Sequence, residues 1–170
     1  MREEAPVAVV VMGVSGCGKT VIGKGLARRL GARFLEGDAF HPKENVERMS
    51  SGLPLDDEMR AGWLDAIGTA LAEKIAGEES AVVACSALKR IYRDRLRRFC
   101  PTTVFVYLEV DRDTARQRVG GRKGHFMPAS LVDSQFAILE PPQIDETALT
   151  LDGRKPIEAL VAEAATHFTG

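Results

Sequence analysis

The stretch running from Val7 to Thr20, "VAVVVMGVSGCGKT", constrains this chain more than any other. Its apolar, largely β-branched half, Val7–Met12, reads as a strand buried on both faces. Glycine is too dense from Gly13 to Gly18 for either a strand or a helix to continue. Apolar residues then return at helical spacing, with Val21, Ile22, Leu26 and Leu30 on one face and Gly31 at the stop. A fully buried strand needs a partner on each side and cover on each face.

The rest of the chain supplies those partners. "ARFLEGD", "SAVVACSA", "TTVFVYLEV" and "ALTLD" read as further strands. Between them lie helical patterns. A short one falls in "HPKENVERMSSGLP". A long one, "DDEMRAGWLDAIGTALAEKIAG", has Asp56 and Asp57 as capping residues and Gly77 as its stop. "ALKRIYRDRLRRF" is a basic helix. Asp111–Val119, roughly 129–139 and Pro156–His167 complete the set, with Asp111 placed to cap the first of these and Pro156 to open the last. This βαβα alternation predicts an α/β fold, a parallel sheet sandwiched by helices. The 170 residues carry no repeat, low-complexity tract or linker, so a single domain over 1–170 is expected.

Composition narrows the partners. A net charge of −1, from 23 basic and 24 acidic residues, gives no bulk attraction to nucleic acid or membrane. Val7–Met12 is too short to span a bilayer, and "MREEAP" is not a secretory n-region. Cys17, Cys85 and Cys100 cannot all pair and show no metal-ligand spacing. Reduced thiols in a cytoplasmic protein are the expectation.

Gly13-x-x-x-x-Gly18-Lys19-Thr20 satisfies the P-loop pattern in full, between the strand and helix that the pattern requires. Gly13, Ser15, Gly16, Cys17, Gly18, Lys19 and Thr20 form the expected ATP site. Glycines let the backbone curl until several N–H groups face one anion, and the following helix adds its positive end. Lys19 is placed for the β- and γ-phosphates, and the Thr20 hydroxyl for Mg2+. Cys17 reads as a small loop residue, with a regulatory thiol as the competing reading. No NKxD sequence reads guanine, and no Asp ends the strand at "AVVAC" as a Walker B partner. The smallest P-loop enzymes are kinases of metabolites and nucleotides. Such enzymes need an acceptor pocket, here expected about 38–63, and a basic lid, here about 119–130.

"EGDAFHP" falls at the carboxyl end of the second strand, where ligands gather in an open α/β sheet. Asp38 can take a proton or hydrogen bond from an attacking hydroxyl, or hold a water on Mg2+. Capping the next helix is the alternative. His41 either donates to an acceptor oxygen or packs at the helix start. After the third strand, Ser86 and Lys89 lie at the sheet edge. Lys89 and Arg93, at i,i+4, are expected to share a face suited to an anionic acceptor. Arg97 and Arg98 are left to solvent. In "ARQRVGGRKGHFMP", Arg118 and Arg122 flank a Gly–Gly hinge and are placed for the transferring phosphoryl, unless the segment is only a charged surface loop.

"GVSGCGKT", "GDAFHPKENVERMSSGLPLDDEMRAGWL", "CSALKRIYRDRLR" and "RKGHFMPASLVDSQFAILEPP" together resemble the gluconate kinases over nearly the whole chain. The resemblance implies a nucleoside-monophosphate-kinase-like three-layer sandwich with a five-stranded parallel core and a mobile lid. It also implies ATP-dependent phosphorylation of D-gluconate at the 6-hydroxyl and a homodimer. Arg60 and His125 join the substrate-binding residues on the same basis. Met59 stands where the family usually has Asp, and Gly62 where it usually has Pro; Arg60 and Trp63 are retained. "LDGRKP" is expected, by analogy, to border the adenine. A shikimate kinase is the nearest rival, and "CSALK" lacks the glycine-rich turn such kinases carry there.

Overall fold

The computed structural model describes residues 4–120 and 130–169. Five parallel strands make one sheet in the order β2-β3-β1-β4-β5. They are β1 (Ala8–Met12), β2 (Arg33–Glu36), β3 (Ala81–Ala84), β4 (Val104–Glu109) and β5 (Ala148–Asp152). The helices are α1 (Lys19–Leu30), α2 (Lys43–Ser50), α3 (Asp57–Ala76), α4 (Arg90–Phe99), α5 (Arg112–Gly120), α6 (Ser130–Ile138) and α7 (Ile157–Thr169). Among the described residues no helix is long and apolar enough to cross a membrane.

β1 lies at the centre of the sheet and is fully buried. Its side chains alternate between two cores, as the period of a strand requires. Val9 and Val11 pack with Ile22 and Leu26 of α1 and Leu160 and Ala164 of α7. Ala8, Val10 and Met12 pack with Trp63, Leu64, Ile67 and Leu71 of α3 and with Tyr92 and Leu96 of α4. The result is the three-layer sandwich that the strand pattern predicts. Asp56 caps α3 by accepting the Met59 N–H at 2.7 Å, and Asp111 caps α5 through Thr114 N–H at 2.9 Å.

Three details depart from the sequence reading. β2 stops at Glu36, so the Gly37 and Asp38 of "ARFLEGD" leave the strand and join a single 3-10 turn, Gly37–Phe40. Val21 is 45% exposed and lies off the buried face of α1, whose core residues are Ile22, Gly23, Leu26 and Ala27. Arg93, expected on an open face, is fully buried inside α4. Its Nε donates to Glu146 at 2.7 Å, Nη2 to the same carboxylate at 3.0 Å and Nη1 to the Ala87 carbonyl at 2.9 Å. Arg97 adds a second guanidinium to Glu146 at 2.8 Å. Burial pushes the Glu146 pKa up, but bonds from Arg93, the Gln143 amide and Arg97 outweigh it and hold the carboxyl at about 2.

Two glycines have opposite demands. A Cβ on Gly37 would meet the Ala84 carbonyl oxygen at 2.1 Å, whereas one on Gly62 would meet nothing within 4 Å. Gly62→Ala is therefore expected to stabilise the protein by about 0.5–1 kcal/mol, as alanine does inside an open helix. Gly37→Ala is expected to destabilise it by about 1–3 kcal/mol through backbone displacement. Thermal melts of the two variants should move in opposite directions.

Candidate active site

The donor loop turns back on itself through positive φ at Gly13 (146°), Gly16 (86°) and Gly18 (97°). Its neighbours leave it little freedom. Gly13 N–H donates to the Ser86 carbonyl at 3.2 Å, which joins the turns after β1 and β3. The ammonium of Lys19 folds over the loop and donates to the Val14 carbonyl at 3.0 Å. Ser15 N–H donates to Gln135 Oε1 at 2.7 Å. A Cβ on Gly16 would meet the Ala115 carbonyl oxygen at 2.6 Å, so α5 presses directly on the loop. Cys17 is buried in the loop with its sulfur against Gly13.

A cavity of about 520 Å³ opens beside this loop, walled by Gly18, Val21, Arg118, Gly153, Ile157 and Leu160. The exposed Val21 thus has a place in this wall. Arg118 stands within α5, with Nη1 on the Gly16 carbonyl and Nη2 on the Gly153 carbonyl, each at 3.2 Å. Gly153 and Lys155 bring "LDGRKP" to the same cavity. Arg122 and His125 lie outside the described residues, as does most of the segment expected to form the lid.

Thr20 Oγ1 donates to Glu36 Oε2 at 2.6 Å. Glu36 ends β2, and the sequence reading passed over it while looking for an acid after "AVVAC". The signal was present, in the acidic residue closing "ARFLEGD". A hydroxyl and a carboxylate together are hard oxygen donors, and Mg2+ characteristically takes one or two carboxylates plus substrate phosphates. Among the described residues no group of three or more His, Cys, Asp or Glu forms a metal cage. The arrangement fits a Mg2+ that arrives with a nucleotide.

Asp38 follows Glu36 by two residues, inside the 3-10 turn. The turn is fixed from below by Gly37 against β3 and from the side by Trp63, whose indole N–H donates to the Gly37 carbonyl at 2.8 Å. The thiol of Cys85 is pushed up to about 12, chiefly by burial, and the charges of Asp38, Lys19 and Glu36 all act on it. The N-cap of α2 is Pro42, so Asp38 does not occupy the capping position.

His41 stacks on Trp63 with ring centroids 4.1 Å apart and planes 15° from parallel. Asn45 Nδ2, which also donates to the Met59 carbonyl, lies 3.2 Å from His41 Nδ1. An amide NH2 only donates, so Nδ1 accepts and the imidazole proton sits on Nε2. Burial, with help from the Arg60 charge, lowers the His41 pKa to about 4. The ring is a neutral donor near pH 7.

Arg60 Nη1 donates to the Tyr92 hydroxyl at 2.9 Å, and that hydroxyl donates to Asp57. Lys89 Nζ completes the group at 3.0 Å from Asp57. Tyr92, then Lys89, hold the Asp57 carboxyl below its usual range. Arg60 is thus placed by Tyr92. Met59 instead packs against Met49, Leu55 and Leu131, so the missing acid at 59 does not leave Arg60 without support. The structure brings Lys89 to this group but not Arg93. Lys89 is the N-cap of α4, with extended backbone (φ −102°, ψ 150°), so the i,i+4 rule does not carry its side chain onto the Arg93 face. Ser86 takes part through its carbonyl, at the Gly13 contact. The next residue, Ala87, has φ 44°, a conformation glycine favours. The turn after β3 thus accommodates a left-handed residue without glycine.

The tautomer and low pKa of His41 predict its titration. The unfolded chain binds the proton at its ordinary 6.5 and the folded one at about 4. The unfolded state therefore holds more protons between these values, and stability falls as pH drops from 6.5 toward 4. Nitrogen-detected NMR should show His41 neutral, with the proton on Nε2, throughout pH 6–8. A His41→Gln variant should lose that part of the acid sensitivity.

The Shikimate kinase family model matches residues 15–140. The gluconokinase of Gluconobacter oxydans (strain 621H) is 47% identical over 163 residues, spanning 96% of this chain and 92% of that protein. Of solved structures, an unliganded sugar kinase from Janibacter sp. HTCC2649 superposes with a TM-score of 0.92 at 43% identity, covering 96% of each chain. A gluconokinase from Sinorhizobium meliloti 1021 superposes with a TM-score of 0.85 at 43% identity, covering 98% of this chain and 93% of that one. The family model and these relatives differ in the acceptor they name, and the high identity lies with the gluconokinases. A P-loop closed by Thr20 on Glu36, a kinase frame from β1 to α6 and this degree of identity have one explanation: the chain belongs to the gluconokinase family, within the shikimate-kinase-like P-loop proteins.

Proposed function

We propose that this protein is a gluconokinase, transferring the γ-phosphoryl of ATP to the 6-hydroxyl of D-gluconate to give 6-phospho-D-gluconate and ADP. The observation that carries the reading is the contact between Thr20 and Glu36. It sets the donor loop against the same strand end that presents Asp38 and His41.

The donor half follows from the loop. The first N–H groups of α1 have no acceptor within the helix, and together with the positive helix end they suit the β- and γ-phosphates. Lys19 needs only to leave the Val14 carbonyl to reach them. The cavity beside Val21 and Arg118 suits the base. Thr20 and Glu36 would hold Mg2+, which supplies charge neutralisation on the phosphates when bound.

On the acceptor side, Asp38 accepts the proton of the attacking hydroxyl and orients its oxygen. His41 donates from Nε2 to a second substrate oxygen. Arg60 and Lys89 offer positive charge to the gluconate carboxylate, with Tyr92 and Asp57 holding them in place. Ser86, at the shared turn, lies between the two halves. Arg118, and with it Arg122 and His125, belong to the proposal as groups that close on the donor and acceptor. Arg93 does not, because burial and Glu146 occupy its guanidinium. Phosphoryl transfer of this kind depends mainly on positioning and electrostatics.

A cytoplasmic homodimer is part of the same reading. All three cysteines are buried free thiols, which suits a reducing compartment.

Two measurements test the proposal. Coupled ADP release should be stimulated by gluconate and by neither shikimate nor other sugar acids at equal concentration; stimulation by shikimate alone would reassign the acceptor. Asp38→Asn should lower kcat by about 10²–10⁴ while the ATP dissociation constant changes little. Unchanged turnover would remove Asp38 from the chemistry.

A further inference from the structure

Ser15 and Gln135 are 120 residues apart in sequence and meet inside the protein. Both are buried, with 7% and 8% of their surface exposed. Gln135 Oε1 accepts the Ser15 N–H at 2.7 Å, and Nε2 lies 3.3 Å from Ser15 Oγ. The amide of Gln135 therefore grips one residue of the phosphate loop at both its backbone and its side chain. The helix that carries Gln135 is itself anchored. Asp133 on α6 receives Arg116 in a two-pronged ion pair, with Arg112 also within 3.8 Å, and both arginines come from α5. The same α5 presses the Ala115 carbonyl onto Gly16 and sends Arg118 to the Gly16 carbonyl. The loop is thus braced at Ser15 by α6 and at Gly16 by α5, immediately before the residues that turn into α1.

We infer that Gln135 is a positioning residue for nucleotide binding. Resting on the kinase reading above, it holds Ser15 so that the loop stays curled with the first N–H groups of α1, those of Lys19 and Thr20, turned toward the phosphate site. A loop of three positive-φ glycines has other conformations open to it. Without an acceptor for the Ser15 amide, the competent conformation becomes one among several, and apparent ATP affinity falls in proportion to its population. A side chain that merely filled the core would have no such effect on one substrate alone.

Gln135→Met keeps the length of the side chain and its preference for a helix but offers Ser15 no comparable acceptor. Binding of Mg2+–ATP, read by calorimetry without gluconate, should weaken by about tenfold, corresponding to a competent fraction of about one tenth. The KM for ATP should rise with it, while the KM for gluconate stays within about twofold of the native value. Affinity for ATP within about twofold of native, or equal losses for both substrates, would overturn the inference. If Gln135→Met does not fold, amide hydrogen exchange of the native protein decides. The Ser15 N–H should be protected before ATP is added, and exchange as fast as an exposed loop amide would overturn the inference. Native protein that binds ATP but ignores gluconate would refute the acceptor assignment and leave the Gln135 inference intact.

Discussion

The close approach of β2 to β3 at Gly37 is the contact on which the site depends. The backbone there passes so near the Ala84 carbonyl that no side chain fits, and the Trp63 indole holds the opposite side of the same residue. This fixes where β2 ends. Glu36, one residue before, is thereby delivered to Thr20, and Asp38, one residue after, to the mouth of the sheet. The turn after β3 is tied to the turn after β1 by Gly13 and Ser86. Three strand ends are locked into one surface by backbone contacts. The side chains on that surface inherit their placement, which is what phosphoryl transfer by positioning requires.

Charge is distributed in two different ways around that surface. The arginines of α4 look, in sequence, like a single basic face. In the fold they are divided among acids from distant segments: Arg90 with Asp145, Arg93 and Arg97 with Glu146, and Arg95 with Asp65. The side chains of Arg93 and Glu146 are closed off from water. Breaking such a pair costs more than the pair contributes, because the remaining charge is left buried. Arg60 and Lys89 are held differently, by a tyrosine hydroxyl and a largely exposed aspartate. Those partners leave the cations near solvent and able to meet an anion. The proposed recognition of an anion therefore falls to Arg60 and Lys89, whereas the guanidinium of Arg93 is occupied inside the fold.

Much of this was legible in the sequence. The P-loop, the five strands and the caps at Asp56 and Asp111 follow from local pattern, because each is decided by a few adjacent residues. The position of Asp38 and His41 just beyond the end of β2 was legible too, because a short apolar strand stops at a glycine there. What could not be read depends on partners far along the chain. Glu146 lies 53 residues from Arg93, and Gln135 lies 120 from Ser15. The reading of Lys89 and Arg93 as one face failed for a local reason, since a helix cap does not obey helical periodicity. The contact of Glu36 with Thr20 was not legible either, because it joins the end of one strand to the helix that follows another.

The most direct test of the account is a crystal structure with gluconate, Mg2+ and a non-hydrolysable ATP analogue. The γ-phosphate is expected on the loop at Lys19, Mg2+ on Thr20 and Glu36, and the gluconate 6-hydroxyl within hydrogen-bond reach of Asp38, with the carboxylate toward Arg60 and Lys89. Gluconate bound with its 6-hydroxyl away from Asp38, or Mg2+ held without Thr20 and Glu36, would contradict it.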